Sequence, residues 1–111
     1  MGCLFCKIVA REIPATIVAE NEHALAFRDL NPVAPTHLLI VPKQHLAGVS
    51  AAGSEDALVL GQVLLLARAV AAASLPGGYR LVINDGADAG QSVFHLHVHL
   101  LGGRALGWPP G

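Results

Sequence analysis

Residues 94–101 read Phe-His-Leu-His-Val-His-Leu-Leu, three histidines on alternate positions with apolar residues between them. Alternation of this kind has the period of a β-strand, whose side chains point to opposite faces by turns. The segment therefore sets His95, His97 and His99 on one face, at steps of about 6.6 Å, and Phe94, Leu96, Val98 and Leu100 on the other. Whatever fold contains it must supply an apolar layer on one side and a space for chemistry on the other. Threonine, lysine or glutamate would satisfy a merely solvated face, so three imidazoles in register point to function.

The rest of the chain supplies an α+β frame. Residues 3–11 can form a short helix closed off by Pro14, and 16–20 and 24–28 read as strands on either side of a turn at Asn21. A loop with Pro32 and Pro35 leads to a strand over 37–42. Ser54 is placed to cap a long helix, with Glu55 and Asp56 complementing the dipole in its first turn, and that helix runs to about Ala73 before Pro76 and Gly77. A fourth strand over 79–84, a glycine-bearing loop and the histidine segment complete a curved antiparallel sheet of about five strands. With 111 residues, 53% of them hydrophobic and 14% charged, one domain over 1–111 is expected.

Charge excludes some partners. Seven basic against eight acidic residues give a net charge of −1, so no basic face announces nucleic acid or an anionic membrane surface. The apolar run 57–73 is interrupted by Gly61, Gln62 and Arg68 and makes a poor membrane span. Lys7, Arg11 and Glu12 follow too few apolar residues for a signal peptide, which places the protein in the cytoplasm. In the long helix, Val59, Val63, Leu66 and Val70 form one stripe, yet Leu58, Leu60, Leu64, Leu65 and Ala71 make the other sides apolar too. A helix of that kind is buried nearly all round. One small sheet cannot cover it, so a second subunit in a symmetric homodimer is expected.

Two chemistries suit the histidine comb. His-x-His on a strand can chelate a catalytic zinc; alternatively one imidazole acts as nucleophile while its neighbours orient it and carry protons. The loop Gly90-Gln91-Ser92 offers donors suited to phosphate oxygens or a leaving group, which favours phosphorus chemistry. Neither a Walker-type loop nor a dinucleotide fingerprint is present. Cys3 and Cys6, spaced C-x-x-C, read as a metal half-site or a redox pair.

The run His95-Leu96-His97-Val98-His99-Leu100-Leu101 fits the signature of the histidine triad superfamily. With GQSVFHLHVHLLGGR, GWPPG, FCKIVAREIPA, AFRDLNPVAPTHLLIVPKQH and INDGADAGQS, nearly the whole chain resembles its Hint branch, the purine nucleoside phosphoramidate hydrolases. The chain also lacks the extra segments of the diadenosine polyphosphate hydrolases and of the aprataxin branch. The resemblance implies a HIT-like fold and a homodimer. It implies that His97 attacks the α-phosphorus and forms a nucleotidyl-histidine, that His99 stabilises phosphoryl oxygen, that Ser92 bonds near the leaving group, and that His37 orients the triad. Asn84, Gly90 and Gln91 would hold the phosphate, Asp29 the ribose hydroxyls, and Phe5, Ile8, Phe27 and Leu30 the base. Trp108 would reach the partner subunit's site.

Purine nucleotides are the implied ligands, AMP, GMP and their phosphoramidate conjugates among them, with no cofactor required for catalysis. Some members of the superfamily hold structural zinc on residues matching Cys3, Cys6, His45 and His95; others do without it, and the metal stays open at this point. If it binds, His95 is a ligand rather than a proton carrier. Alternative readings are a dinucleoside polyphosphate hydrolase using the same triad, a zinc hydrolase, and a nucleotide-binding regulatory module with weak catalysis.

Overall fold

The computed structural model describes residues 2–111. Helix α1 (Leu4–Val9) leads into strands β1 (Ile17–Glu20), β2 (Ala24–Arg28) and β3 (Thr36–Pro42), then helix α2 (Ala57–Ser74) and strands β4 (Tyr79–Ile83) and β5 (Val98–Gly102). The strands form one antiparallel sheet in the order β1-β2-β3-β5-β4. An α+β architecture with five strands, one long helix and one short one is thus observed, as the hydrophobic patterning implies.

Period-two alternation divides the sheet between two cores. Ala24, Ala26, Leu38, Ile40, Val98 and Leu100 face α2, which packs Val63, Leu66, Ala67 and Ala71 against them. Leu25, Phe27, Leu39 and Val41 point the other way and meet Phe5 and Ile8 of α1. Because both faces of β2 and β3 are covered, these strands are buried almost throughout. Small residues at 24 and 26 let α2 lie close. Gly102 does the same at the end of β5, where an added Cβ would stand 2.7 Å from Leu75 Cδ1.

Two local expectations are corrected. Ser54 does not cap α2: residues 54–56 form a 3-10 turn, the helix begins at Ala57, and it is the buried Asp56 whose Oδ2 accepts the Gly53 N–H at 2.9 Å. The carboxylate reaches back across the turn where a serine hydroxyl would be too short. Second, the histidine comb is not one strand. β5 begins at Val98, since its pairings with β3 and β4 end at Ile40↔Val98 and Ile83↔Val98. Upstream of Val98 both ladders stop, although β3 itself continues to Pro42, and Leu96 N–H instead donates to Leu46 O. His95 and His97 therefore lie on an irregular segment that turns their rings to different surroundings. Leu96, Val98 and Leu100 are buried as the alternation requires, but Phe94 is 53% exposed.

α2 is long and apolar enough to cross a membrane by length and composition, yet its inner stripe belongs to the core. Its outer positions Leu58, Leu64 and Leu65 are exposed in the single chain, as are Tyr79, Leu81 and Ile83 on edge strand β4.

Candidate active site

The face of the sheet opposite α2 carries a cleft of about 320 Å³, walled by Phe5, Ile8, Ile13, Phe27 and Leu39 on one side and by Asp29, Ser92, His97 and His99 on the other. Its size and mixed lining suit a small organic ligand with one polar end. The register explains its position. His99 pairs with Leu39 of β3 and Val82 of β4, and Val98 and Leu100 on its flanks are committed to the α2 core, so its ring has only the opposite side to occupy.

Backbone groups of opposite polarity dictate the protonation of the two cleft imidazoles. His97, 7% exposed, points Nδ1 at the carbonyl oxygen of His95 at 2.8 Å. A carbonyl only accepts, so Nδ1 carries the proton and the free nitrogen, Nε2, has a lone pair. His99 is reached by a relay. Val33 N–H donates to His37 Nδ1 at 3.1 Å, so the proton of neutral His37 sits on Nε2. His37 Nε2 is 2.9 Å from His99 Nδ1, which must accept its proton, leaving His99 protonated on Nε2. Side by side, with ring centroids 5.0 Å apart, stand one imidazole with a bare nitrogen and one with a donor. Burial first, then the nearby His97 and His37, hold His99 below the usual histidine range, opposed by the Asp29 carboxylate. It is kept neutral and ready to donate.

Asp29 closes this group: Oδ1 accepts Asn31 N–H at 2.8 Å and Oδ2 lies 3.3 Å from His37 Nε2. Asp29, His37 and His99 bring their polar atoms within ligand range of one another. With the His37 proton directed at His99, however, the set is built around a hydrogen rather than a cation.

The opposite holds for Cys3, Cys6, His45 and His95, whose ligand atoms also converge within 4.8 Å. His95 is fully buried and its Nε2 faces Pro42 O at 2.8 Å, so the proton is on that nitrogen and the Nδ1 lone pair enters the cluster. Nδ1 lies 3.2 Å from Cys3 Sγ, 3.4 Å from Cys6 Sγ and 3.2 Å from His45 Nδ1, and His45 Nδ1 is 3.3 Å from Cys6 Sγ. Zinc bonds of about 2.3 Å to sulfur and about 2.0–2.1 Å to nitrogen place tetrahedral ligands roughly 3.3–3.8 Å apart, close to this spacing. The carbonyl–histidine contact is the outer-shell partner that orients a ligating ring. Burial and the neighbouring Cys3 thiol push Cys6 up to about 11, and a bound dication is what relieves such a thiol pair. The donor set fits zinc.

His95 thus joins the two centres. Its ring belongs to the cysteine cluster and its carbonyl orients His97, while Phe5, in the same helix as Cys6, packs edge-on against both rings at 6.0 and 5.2 Å.

Of the residues singled out in the sequence, the cleft brings together Phe5, Ile8, Phe27, Asp29, Leu30, Ser92, His97 and His99. His37 stands directly behind them. Leu30 is 90% exposed and sits at the rim rather than in the apolar slot. Asn84, Gly90 and Gln91 are outside the lining. Gln91 is buried with both amide atoms engaged: Nε2 donates to Ala47 O and Val93 O at 2.7 and 3.1 Å, and Oε1 accepts Gly86 N–H at 2.8 Å. It ties together the loop below Ser92 instead of presenting a donor to the cleft. Trp108 is exposed, lies outside the cleft of its own chain, and is held beside Arg80, which donates to Gly107 O at 2.7 Å. Val33 N–H, the His95 carbonyl and the Pro42 carbonyl escaped sequence reasoning, because backbone groups carry no residue-type signal. Ile13, Pro14 and Ala15, also in the lining, were legible only as part of a loop.

Comparison with known proteins agrees with this geometry. The model of the HIT domain matches residues 10–106. The chain is 55% identical over 109 residues to an uncharacterized HIT-like protein of Synechocystis, covering 97% of this chain and 96% of the relative. It is 53% identical to a 14 kDa zinc-binding protein of Zea mays, over 97% of this chain and 87% of that one. A HIT family hydrolase from Legionella pneumophila superposes with a TM-score of 0.96 at 51% identity, covering 99% and 100% of the two chains. With the histidine arrangement, the domain match and near-complete coverage in agreement, the chain belongs to the HIT family.

Proposed function

We propose that the protein is a hydrolase of purine nucleoside 5'-phosphoramidates that works through a nucleotidyl-His97 intermediate. The observation that carries the reading is the pair of opposite tautomers on one cleft wall: a bare Nε2 on His97 beside an Nε2–H on His99. The lone pair attacks the α-phosphorus and the P–N bond to the amine breaks. The leaving nitrogen, hydrogen-bonded by Ser92, takes a proton from solvent at the cleft mouth and departs as the amine. Water then attacks phosphorus and gives up a proton to solvent, the bond to His97 breaks to restore its Nε2 lone pair, and the nucleoside monophosphate leaves. Dividing one displacement into two lowers each barrier. The His99 donor meets charge that grows on the phosphoryl oxygens, the kind of fixed electrostatic contact on which phosphoryl transfer depends. Asp29, an acceptor-only group at the cleft edge, takes the ribose hydroxyls, and Phe5, Ile8 and Phe27 take the base.

Brief mixing with adenosine 5'-phosphoramidate, acid-free quenching and intact mass spectrometry test this directly. The wild type is expected to gain one nucleotidyl group, and His97→Ala to gain none and turn over nothing. Unimpaired turnover in that variant removes His97 as nucleophile. Faster cleavage of dinucleoside polyphosphates would transfer the same chemistry to that substrate class, and a rate near background would favour a regulatory nucleotide-binding module.

The proposal includes structural zinc on Cys3, Cys6, His45 and His95, supported by the donor geometry and by the zinc-binding relative. Four protein ligands leave no open position for substrate. The metal would brace the N-terminal turn against the segment that presents His97. It also includes a symmetric dimer. Leu81 and Ile83 pair with Leu100 and Val98 and so share the α2 side of the sheet, where they continue the exposed surface of Leu58, Leu64 and Leu65. An apolar hollow between α2 and β4, lined by Leu60, Leu64 and Ile83 among others, joins the two. Covering this ledge with a second copy removes it from water.

A further inference from the structure

We infer that Arg104 is a positioning residue for the triad: it holds the loop whose Val33 N–H decides which nitrogen of His99 faces the substrate. The loop from Leu30 to Pro35 has little to hold it. Leu30, Asn31, Pro32, Val33 and Pro35 are all exposed, and only Ala34 is buried. Its position is set by polar contacts and close backbone packing instead. Asn31 N–H is bonded within the loop's own turn to Asp29. Among the described residues, Arg104 is the one side chain from elsewhere in the fold that donates to this loop, through Nη2 to Val33 O at 3.0 Å. The N–H of the same residue, in the preceding peptide unit, is the donor to His37 Nδ1.

The neighbouring backbone supports the assignment independently. Gly103 has φ of +91°, and a Cβ there would lie 2.9 Å from Pro35 Cβ and 3.5 Å from Thr36 N. The exit of β5 is therefore seated directly on the far end of the loop, and glycine at 103 both permits the turn and gives the close approach. Arg104, next in sequence, grips the loop's middle. β5 thus carries His99 and, five residues later and just beyond the strand's end, the chain presents the side chain that governs the proton on its partner.

The consequence is a change of sign. With Val33 N–H in place, His37 holds its proton on Nε2, His99 Nδ1 accepts it, and His99 offers Nε2–H to the cleft. Should the loop slip and Val33 N–H withdraw, His37 is free to carry its proton on Nδ1. The bond between the rings can then reverse, with His99 Nδ1–H donating to His37 Nε2. His99 would present a lone pair where a phosphoryl oxygen has to sit. A donor becomes an acceptor without any change in the triad itself.

The chemical meaning of this rests on the hydrolase reading above, but the tautomer does not, and the experiment separates them. In the full-length wild type, ring nitrogen shifts from ¹⁵N-histidine NMR are expected to show bare Nδ1 and protonated Nε2 for both His37 and His99. Arg104→Met keeps the aliphatic stem and removes the donors; it is expected to move both rings toward a mixture of tautomers. Arg104→Lys, which keeps one donor, should restore much of the wild-type pattern. In parallel, kcat on adenosine 5'-phosphoramidate should fall about 5- to 20-fold in Arg104→Met, the effect of losing one oriented hydrogen bond, with KM within about twofold. Unchanged ring shifts in a folded Arg104→Met protein overturn the inference, and so does a wild-type His37 protonated on Nδ1, a result that needs no variant to fold. Absence of hydrolysis in the wild type together with the expected shifts would sink the hydrolase reading and leave the role of Arg104 standing.

Discussion

Replacing His37 tests the relay at its middle. His37→Ala removes the donor 2.9 Å from His99 Nδ1 and the acceptor 3.1 Å from Val33 N–H, both inside or at the edge of a buried group. The His37–His99 contact joins neutral partners and contributes about 0.5–1.5 kcal/mol, whereas the bond it aims, from His99 Nε2–H to a phosphoryl oxygen gaining negative charge, is charge-assisted and worth about 1.5–3 kcal/mol. The difference, roughly 1–2 kcal/mol, is what catalysis loses, and it corresponds to about a 5- to 30-fold drop in kcat with KM little changed. A separate loss of stability, about 1–3 kcal/mol, follows from the orphaned Val33 N–H and the vacated volume. His37→Gln can still donate to His99 but accepts less well from Val33, so its kcat should fall between those of the wild type and His37→Ala. Steady-state kinetics beside urea unfolding separate the two effects. A kcat within twofold of wild type in folded His37→Ala, or a defect confined to KM, would refute the argument that the relay sets the His99 donor.

Other consequences are open to measurement. Because His99 is held below its ordinary value of 6.5, the unfolded chain binds its proton first as pH falls. Stability should therefore drop with a slope of up to about 1.4 kcal/mol per pH unit between 6.5 and the depressed folded value, and level off below it; urea midpoints that respond equally to pH in wild type and His99→Asn contradict this. Elemental analysis should find one zinc per chain. Its removal by chelation should lower stability by roughly 3 kcal/mol or more at zinc well above its dissociation constant, whereas Cys6→Ser should bind little metal and show no such loss. Light scattering should report a dimer for the wild type, and Leu64→Glu, which puts a charge on the exposed apolar ledge, should shift it to monomer with unchanged circular dichroism.

The element order was legible because each stretch of this chain obeys one period at a time. Alternating burial in β1, β4 and β5, the nearly continuous apolar runs of β2 and β3, and the apolar stripe of α2 follow directly from residue spacing, and Pro42 and the Pro76–Gly77 pair mark where elements end. The histidine comb was legible as the mark of the HIT family but incompletely as geometry. Alternation describes side-chain direction only where a strand is paired, and the ladders to β3 and β4 both stop at Val98. His95 is consequently free to turn away to the cysteines while His97 and His99 stay on the cleft. Gln91 was misplaced for a related reason: an amide beside a site reads the same whether it meets ligand or backbone.

Sequence alone thus determined which residues could do chemistry, which face of each strand they share, and the family to which their spacing belongs, because these follow from residue type and short-range periodicity. Tertiary structure decided where the protons sit. That depends on whether a carbonyl or an N–H approaches each ring nitrogen, and here those groups come from Val33, Pro42 and His95, backbone atoms that every sequence contains and only a fold can aim.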